Sequence, residues 1–300
     1  MADPRAFDYP ESLSDWKYLE WLTIGGWAAA AIKFLTSTFG FLFSFIRSVL
    51  LGAYDGLETA LNWPPSLLLI VIFAALALWA RGVWFAAGTL VGLLLIDAMG
   101  QWQNAMYTLA MVVVAAVLAV MMGVPVGIAA ARYRWISTLL RPALDFMQTM
   151  PALVYLIPAV VMFRVGVVPG IIATIIFSMP PGIRLTELGI RQVDAEVVEA
   201  GHAFGSTPAR ILRQIQLPLA LPTIMAGVNQ VIMLAFSMVV LAGIVGAPGL
   251  GQQVLQAVQR VNVGLGVEAG LSVVILAIFL DRVTAALGAR SRLARLEKAA

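Results

Sequence analysis

Apolar residues in this chain come in long runs rather than in the alternation or one-sided stripes of a water-soluble fold. Runs centred on 66–80, 83–99, 149–163, 167–183, 221–245 and 268–286, with another inside the charge-free stretch Ala98–Ala131, each approach the roughly 20 apolar residues that cross a bilayer. They predict an all-α integral membrane protein with about seven transmembrane helices. Gly123 and Pro125 are expected to kink one end of the third helix. A second charge-free stretch, Gln214–Gln259, holds the sixth span and then a glycine-rich segment, Gly246-Ala247-Pro248-Gly249-Leu250-Gly251.

The stretch Phe34–Leu51 is apolar too, but its pattern differs. At 100° per residue, Lys33, Thr36, Ser37, Gly40, Ser44, Arg47, Ser48, Asp55, Glu58 and Asn62 share one stripe, and Phe34, Phe39, Phe41, Phe45, Ile46 and Val49 lie largely outside it. Such a sustained two-faced helix is expected to lie in the membrane interface; an additional span is the alternative. Trp63-Pro64-Pro65 breaks it and turns the chain into the bilayer. Two regions result: 1–65, a polar segment with the interfacial helix, and 66–300, the membrane domain.

Composition supports this. The chain is 61% hydrophobic and 12% charged, about half the charge of a soluble domain. Its net charge of +3 comes from arginines clustered in short loops and near the C-terminus, a topogenic pattern rather than a nucleic-acid surface. Arg81, then Arg132, Arg134 and Arg141, then Arg184, Arg191, Arg210 and Arg213, then Arg290, Arg292, Arg295 and Lys298 fall on one side, against Arg164 and Arg260 on the other. The rich side is expected to be cytoplasmic, with the C-terminus inside and the N-terminus outside. Met1–Pro10 is polar, with no basic segment leading into an apolar one, so no cleavable signal is expected. With no cysteine and one histidine, His202, no thiol chemistry, metal site or catalytic cluster is expected.

The segment 184–218 is unlike the rest: polar, charged and long. It reads Glu199-Ala200-Gly201, three residues, Gly205, nine residues, Ile215-Gln216-Leu217-Pro218. Asp194–Phe204 suits a short helix, Gly205 permits the positive φ that stops it, and Ser206-Thr207-Pro208 restarts a second at an angle to the first. The pattern resembles the EAA loop of ABC import permeases, with Gly201 in place of a second alanine. The resemblance implies the type I importer permease fold. It makes Glu199, Ala200, Gly201, Gly205, Ile215, Leu217 and Pro218 the residues that couple to an ATPase, with small residues on the first helix sitting in a groove of that partner. The chain has no G-x-x-x-x-G-K-[ST] segment to hold nucleotide. No cofactor is therefore expected on this chain, and ATP and Mg belong to a separate ATP-binding subunit.

Over about Trp102–Arg282 the resemblance narrows. Gln148-Thr149-Met150-Pro151, Val154-Tyr155-Leu156-Ile157-Pro158, Pro180-Pro181-Gly182-Ile183-Arg184-Leu185-Thr186, Gly227-Val228-Asn229-Gln230, the glycine-rich segment and Asp281-Arg282 are similar to permeases of glycine betaine/L-proline importers. The N-terminal extension fits that branch better than its shorter choline-type relatives. The resemblance implies a bacterial inner-membrane protein, a second permease chain (a homodimer), and an extracytoplasmic substrate-binding protein that is a separate chain. Gln148, Thr149, Asn229 and Gln230 are candidates to line the passage, because polar groups in lipid are costly unless used. Tyr155 offers a ring face to a trimethylammonium group, worth about 0.5–2 kcal/mol. Interhelical packing is the alternative for each. Rival readings are a permease for another small polar solute such as an amino acid or choline, a secondary transporter, and a membrane enzyme. Neither an internal repeat nor an ionisable cluster at the span centres supports the last two.

Overall fold

The computed structural model describes residues 24–289, which divide into two compact units between Phe45 and Ile46. The positively charged C-terminal residues, Arg290 onward, lie outside the described residues.

In the first unit, helix α1 (Ile24–Thr38) is followed directly by the start of α2 (Gly40–Asn62). Its hydroxyls are used within the helix: Thr36 donates to the carbonyl of Ile32 at 3.0 Å, and Ser44 to that of Phe41 at 2.8 Å. Back-bonded in this way, Ser and Thr cost little in an apolar setting, while Phe34, Phe41 and Phe45 point outward. By length and composition α2 is among the helices long and apolar enough to cross a membrane.

In the second unit each of the seven expected apolar segments is helical. They form α3 (Ser66–Arg81), α4 (Val83–Ala98), α5 (Trp102–Arg132), a 3-10 turn (Ala152–Tyr155) leading into α7 (Leu156–Phe163), α8 (Val167–Arg191), and, beyond the polar segment, α11 and α13; α6 (Arg134–Thr149), where the arginines point to a cytoplasmic loop, is a further helix. The polar segment contributes α9 (Ala195–Ala203) and α10 (Pro208–Ile211); after it come α11 (Leu217–Ala242), α12 (Leu250–Gln259) and α13 (Val263–Ala289).

Three of the expected spans are not simple rods. Helices α3 and α4 are 16 residues each, about 24 Å against about 30 Å of hydrocarbon. They are joined by Gly82 alone, at φ 87°, and pack side by side. The fourth, expected over 149–163, is helical from Ala152 and is preceded by α6, in a stretch expected to be loop; the two meet at 109°. Pro151 has no N–H to continue the ladder and Met150 is forced to extended backbone, φ −69°, ψ 135°. Pro125 and Gly123, by contrast, sit within an uninterrupted α5.

The core is a stack in which α8 lies against both α5 and α11. Met106, Met111 and Ala115 of α5, Ile171 and Ile183 of α8, and Val231, Ala235 and Met238 of α11 are buried there. Backbones approach closely because glycine faces the neighbour: a Cβ on Gly127 would lie 2.6 Å from the Ile183 carbonyl oxygen. Helix α13 packs on α11 and α3, with the Phe73 and Phe279 rings 5.2 Å apart. At the end opposite the polar segment, the Leu250 N–H donates to Thr108 Oγ at 2.8 Å and ties the glycine-rich turn to α5.

Candidate functional site

The polar segment is shorter as a loop than its sequence suggests. Its first residues, from Arg184 to Arg191, prolong α8 by two turns beyond the expected end at Ile183. Polar contacts support this extension: Glu187 accepts from Ser137 Oγ at 2.7 Å and pairs with Arg191 Nε at 2.9 Å, and Arg184 pairs with Asp145. Its last residues are helical as well. The expected second short helix is continuous with α11 through a π turn at Leu212–Gln216. Pro218 cannot donate to the Gln214 carbonyl, and a wider turn accommodates the missing bond.

What remains is α9 and two breaks. Asp194 caps α9, its carboxylate accepting from the Glu196 N–H at 2.9 Å. At the far end Gly205 adopts φ 73°, and the Ser206 N–H reaches back to the Gly201 carbonyl at 3.1 Å, a glycine-type stop. Thr207 and Pro208 then begin α10.

The motif residues divide into two sets. Glu199 and Ala200 are exposed on α9. Gly201 is turned inward: a Cβ there would lie 2.9 Å from Ile215 Cδ1, so the smallness of this position seats α9 on the second helix of its own chain rather than on a partner. Leu217 joins Ile190, Ala220 and Ile224 in the cluster beneath the loop, and Pro218 is half-buried. Under α9 lies a cavity of about 230 Å³ lined by Arg132, Arg191, His202 and Gln216.

Phe204, which the motif does not single out, is 89% exposed at the tip of α9. The signal for it in the sequence is an aromatic ring beside a helix-stopping glycine in an otherwise polar segment.

The candidate passage residues also separate. Gln148 and Thr149 are exposed at the end of α6, beside the bend. Gln230 lies on an exposed stripe of α11 with Ala226, Met233 and Ser237. Asn229 instead accepts from Thr284 Oγ1 of α13 at 3.3 Å, a packing role. Tyr155 is buried with its ring edge-on to Phe177, and its hydroxyl donates to the Met147 carbonyl. That carbonyl is the acceptor Pro151 would have served in an unbroken helix, so Tyr155 closes the bend. Tyr155→Phe is expected to leave the Met147 carbonyl without a partner, at a cost of about 1–3 kcal/mol. A lower thermal midpoint of the purified protein checks it, and an unchanged midpoint counts against the latch.

A bundle of apolar helices around a proline-broken span, with a capped polar helix at one end, is the architecture of a membrane permease. The chain belongs to the family of binding-protein-dependent transport system inner membrane components, which it matches over residues 123–293. It is 51% identical over 253 residues to the glycine betaine transport system permease protein OpuAB of Bacillus subtilis, covering 84% of this chain and 90% of that one. It is 45% identical over 271 residues to the glycine betaine/proline betaine transport system permease protein ProW of Escherichia coli, covering 90% and 77%. It is 43% identical over 275 residues to the glycine betaine/carnitine transport permease protein GbuB of Listeria monocytogenes, covering 90% and 97%. A structure of the inward-facing MetNI methionine ABC transporter covers 64% of this chain and 92% of its own, at 24% identity and TM-score 0.49.

Proposed function

We propose that this chain is the transmembrane subunit of an ATP-driven importer of glycine betaine and related zwitterionic solutes. The observation that carries it is the capped, glycine-terminated α9, held on its own chain by Gly201 and presenting Glu199, Ala200 and Phe204 outward. The names of the relatives above supply the solute class. ATP and Mg are assigned to a separate ATPase, which receives Phe204 as an apolar knob and Glu199 as a carboxylate. The partners are that ATPase, a second copy of this chain and an extracytoplasmic binding protein. Gln148, Thr149 and Gln230 are assigned to the passage. Their neutral side chains suit a zwitterion, since a fixed charge would hold one end of it. The test is ATP-dependent uptake of labelled glycine betaine by vesicles holding the three components, with proline, histidine and choline as competitors. No betaine uptake alongside robust uptake of an ordinary amino acid would remove the solute assignment and leave the importer.

The orientation proposed places α9 and the C-terminus in the cytoplasm and the N-terminus outside, with 1–65 as a separate interfacial region before the 66–300 membrane domain. Because the chain lacks cysteine, Ser12→Cys, Arg134→Cys and Ser291→Cys can each be labelled without background. An impermeant maleimide on intact cells is expected to reach position 12 only. Labelling at 291 and not at 12 would reverse the orientation; protection of both would make α2 a span.

A further inference from the structure

We propose that α6 is a strut fastened to α8 at two points, and that Arg184 and Glu187 are positioning residues that deliver movement of α9 to the bend at Met150-Pro151. The inference rests on the coupling role proposed for α9.

Within this chain, little apolar contact holds helix α6 to the bundle. Of its residues only Ser137 and Leu144 are buried, and Trp135, Leu139 and Phe146 are exposed. Its attachment to α8 is instead polar. Ser137 donates to Glu187, and Asp145 pairs with Arg184. The two anchor points are eight residues apart on α6, about 12 Å. One contact would be a pivot; two at this separation oppose rotation of α6 about it.

The anchor at Glu187 reaches further. The same carboxylate takes Arg191 Nε at 2.9 Å, with the Glu187 side chain only 12% exposed. Arg191 in turn donates to the Ala130 carbonyl at 2.9 Å, in the last turn of α5, where backbone acceptors have no partner within the helix. A carboxylate this enclosed is costly to leave unpaired, so the Glu187–Arg191 pair fastens α5, α6 and α8 together. Three residues beyond Arg191, Asp194 caps α9. At its other end α6 runs into Gln148, Thr149 and the break that Tyr155 closes. A displacement of α9 therefore has a continuous route through α8 and α6 to the bend that carries two of the passage candidates. Asp145–Arg184 is half exposed and adds little to stability by itself; its place at the far end of the strut gives it a use that stability does not explain.

Nitroxide pairs on the assembled complex with its ATPase test this. Trp135→Cys with Leu188→Cys reports the separation of α6 from α8; Ile157→Cys with Leu188→Cys reports α7 across the bend. Between nucleotide-free and ATP-trapped states the first distance is expected to hold within about 2 Å while the second changes. Asp145→Arg, which sets two cations together, is expected to let the first distance change and to raise ATP hydrolysed per solute imported at least about fivefold. Adding Arg184→Asp is expected to restore both readouts, which a general folding defect would not allow. A first distance that changes in the otherwise unaltered protein overturns the strut, as does a reversed pair that fails to recover. Absence of any ATP-dependent change in either pair would overturn the coupling role of α9 together with the strut, and so separates the two failures.

Discussion

Replacing Gly205 by valine is expected to reduce ATP-coupled uptake by about tenfold or more, while the chain still inserts and the bundle still forms. Gly205 holds φ 73°, where a β-branched residue is strongly disfavoured. No atom lies within 4 Å of where its Cβ would be, so the penalty comes from the backbone and not from crowding. Two consequences follow. The stop at the end of α9 is lost, and Phe204 is re-aimed away from the ATPase. Asparagine tolerates the left-handed region and, like valine, places a branched side chain there, so Gly205→Asn is expected to keep most of the uptake. Equal activity in both variants would mean that the turn has no part in coupling; equal loss would point to a contact made by the glycine itself.

A second large effect is expected inside the bundle. Gly127→Leu should prevent α5 and α8 from closing, because even the Cβ would meet the Ile183 carbonyl oxygen and Thr186 Cβ at 2.6 Å. Neither is the free end of a flexible side chain, so the helices must part. Overpacking of about 1–3 kcal/mol for a modest insertion is a lower limit for leucine here. We expect loss of folded protein, or a thermal midpoint lowered by roughly 5–10 °C. Gly88→Leu is the control: Gly88 is exposed on α4, with nothing within 4 Å of its Cβ position, and leucine there should be tolerated. If the two variants unfold alike, the close approach of α5 and α8 is not what holds the bundle.

The membrane class, the apolar spans and the polar segment were legible in the chain itself, because they depend on local composition; α6 and α12, which are less apolar, were not. A run of apolar residues is recognisable without knowing its neighbours, and the caps at Asp194 and Gly205 act over three or four residues. The family followed from the EAA spacing, and the match over residues 123–293 agrees with it.

What the sequence could not decide was which side of each helix faces inward and where a helix continues past its apolar part. Gly201 reads as a small contact for a partner until Ile215 is seen against it. Tyr155 reads as a ring for a cation until its hydroxyl is found on the carbonyl that Pro151 leaves free. The charged stretch from Arg184 reads as loop, but it is helix because Ser137 and Asp145, about forty to fifty residues earlier, supply its partners. Apolarity and capping are properties of a few consecutive residues, so the apolar spans and the stop at Gly205 can be read locally. Facing and pairing depend on groups far apart in the chain, so they emerge only when the helices pack.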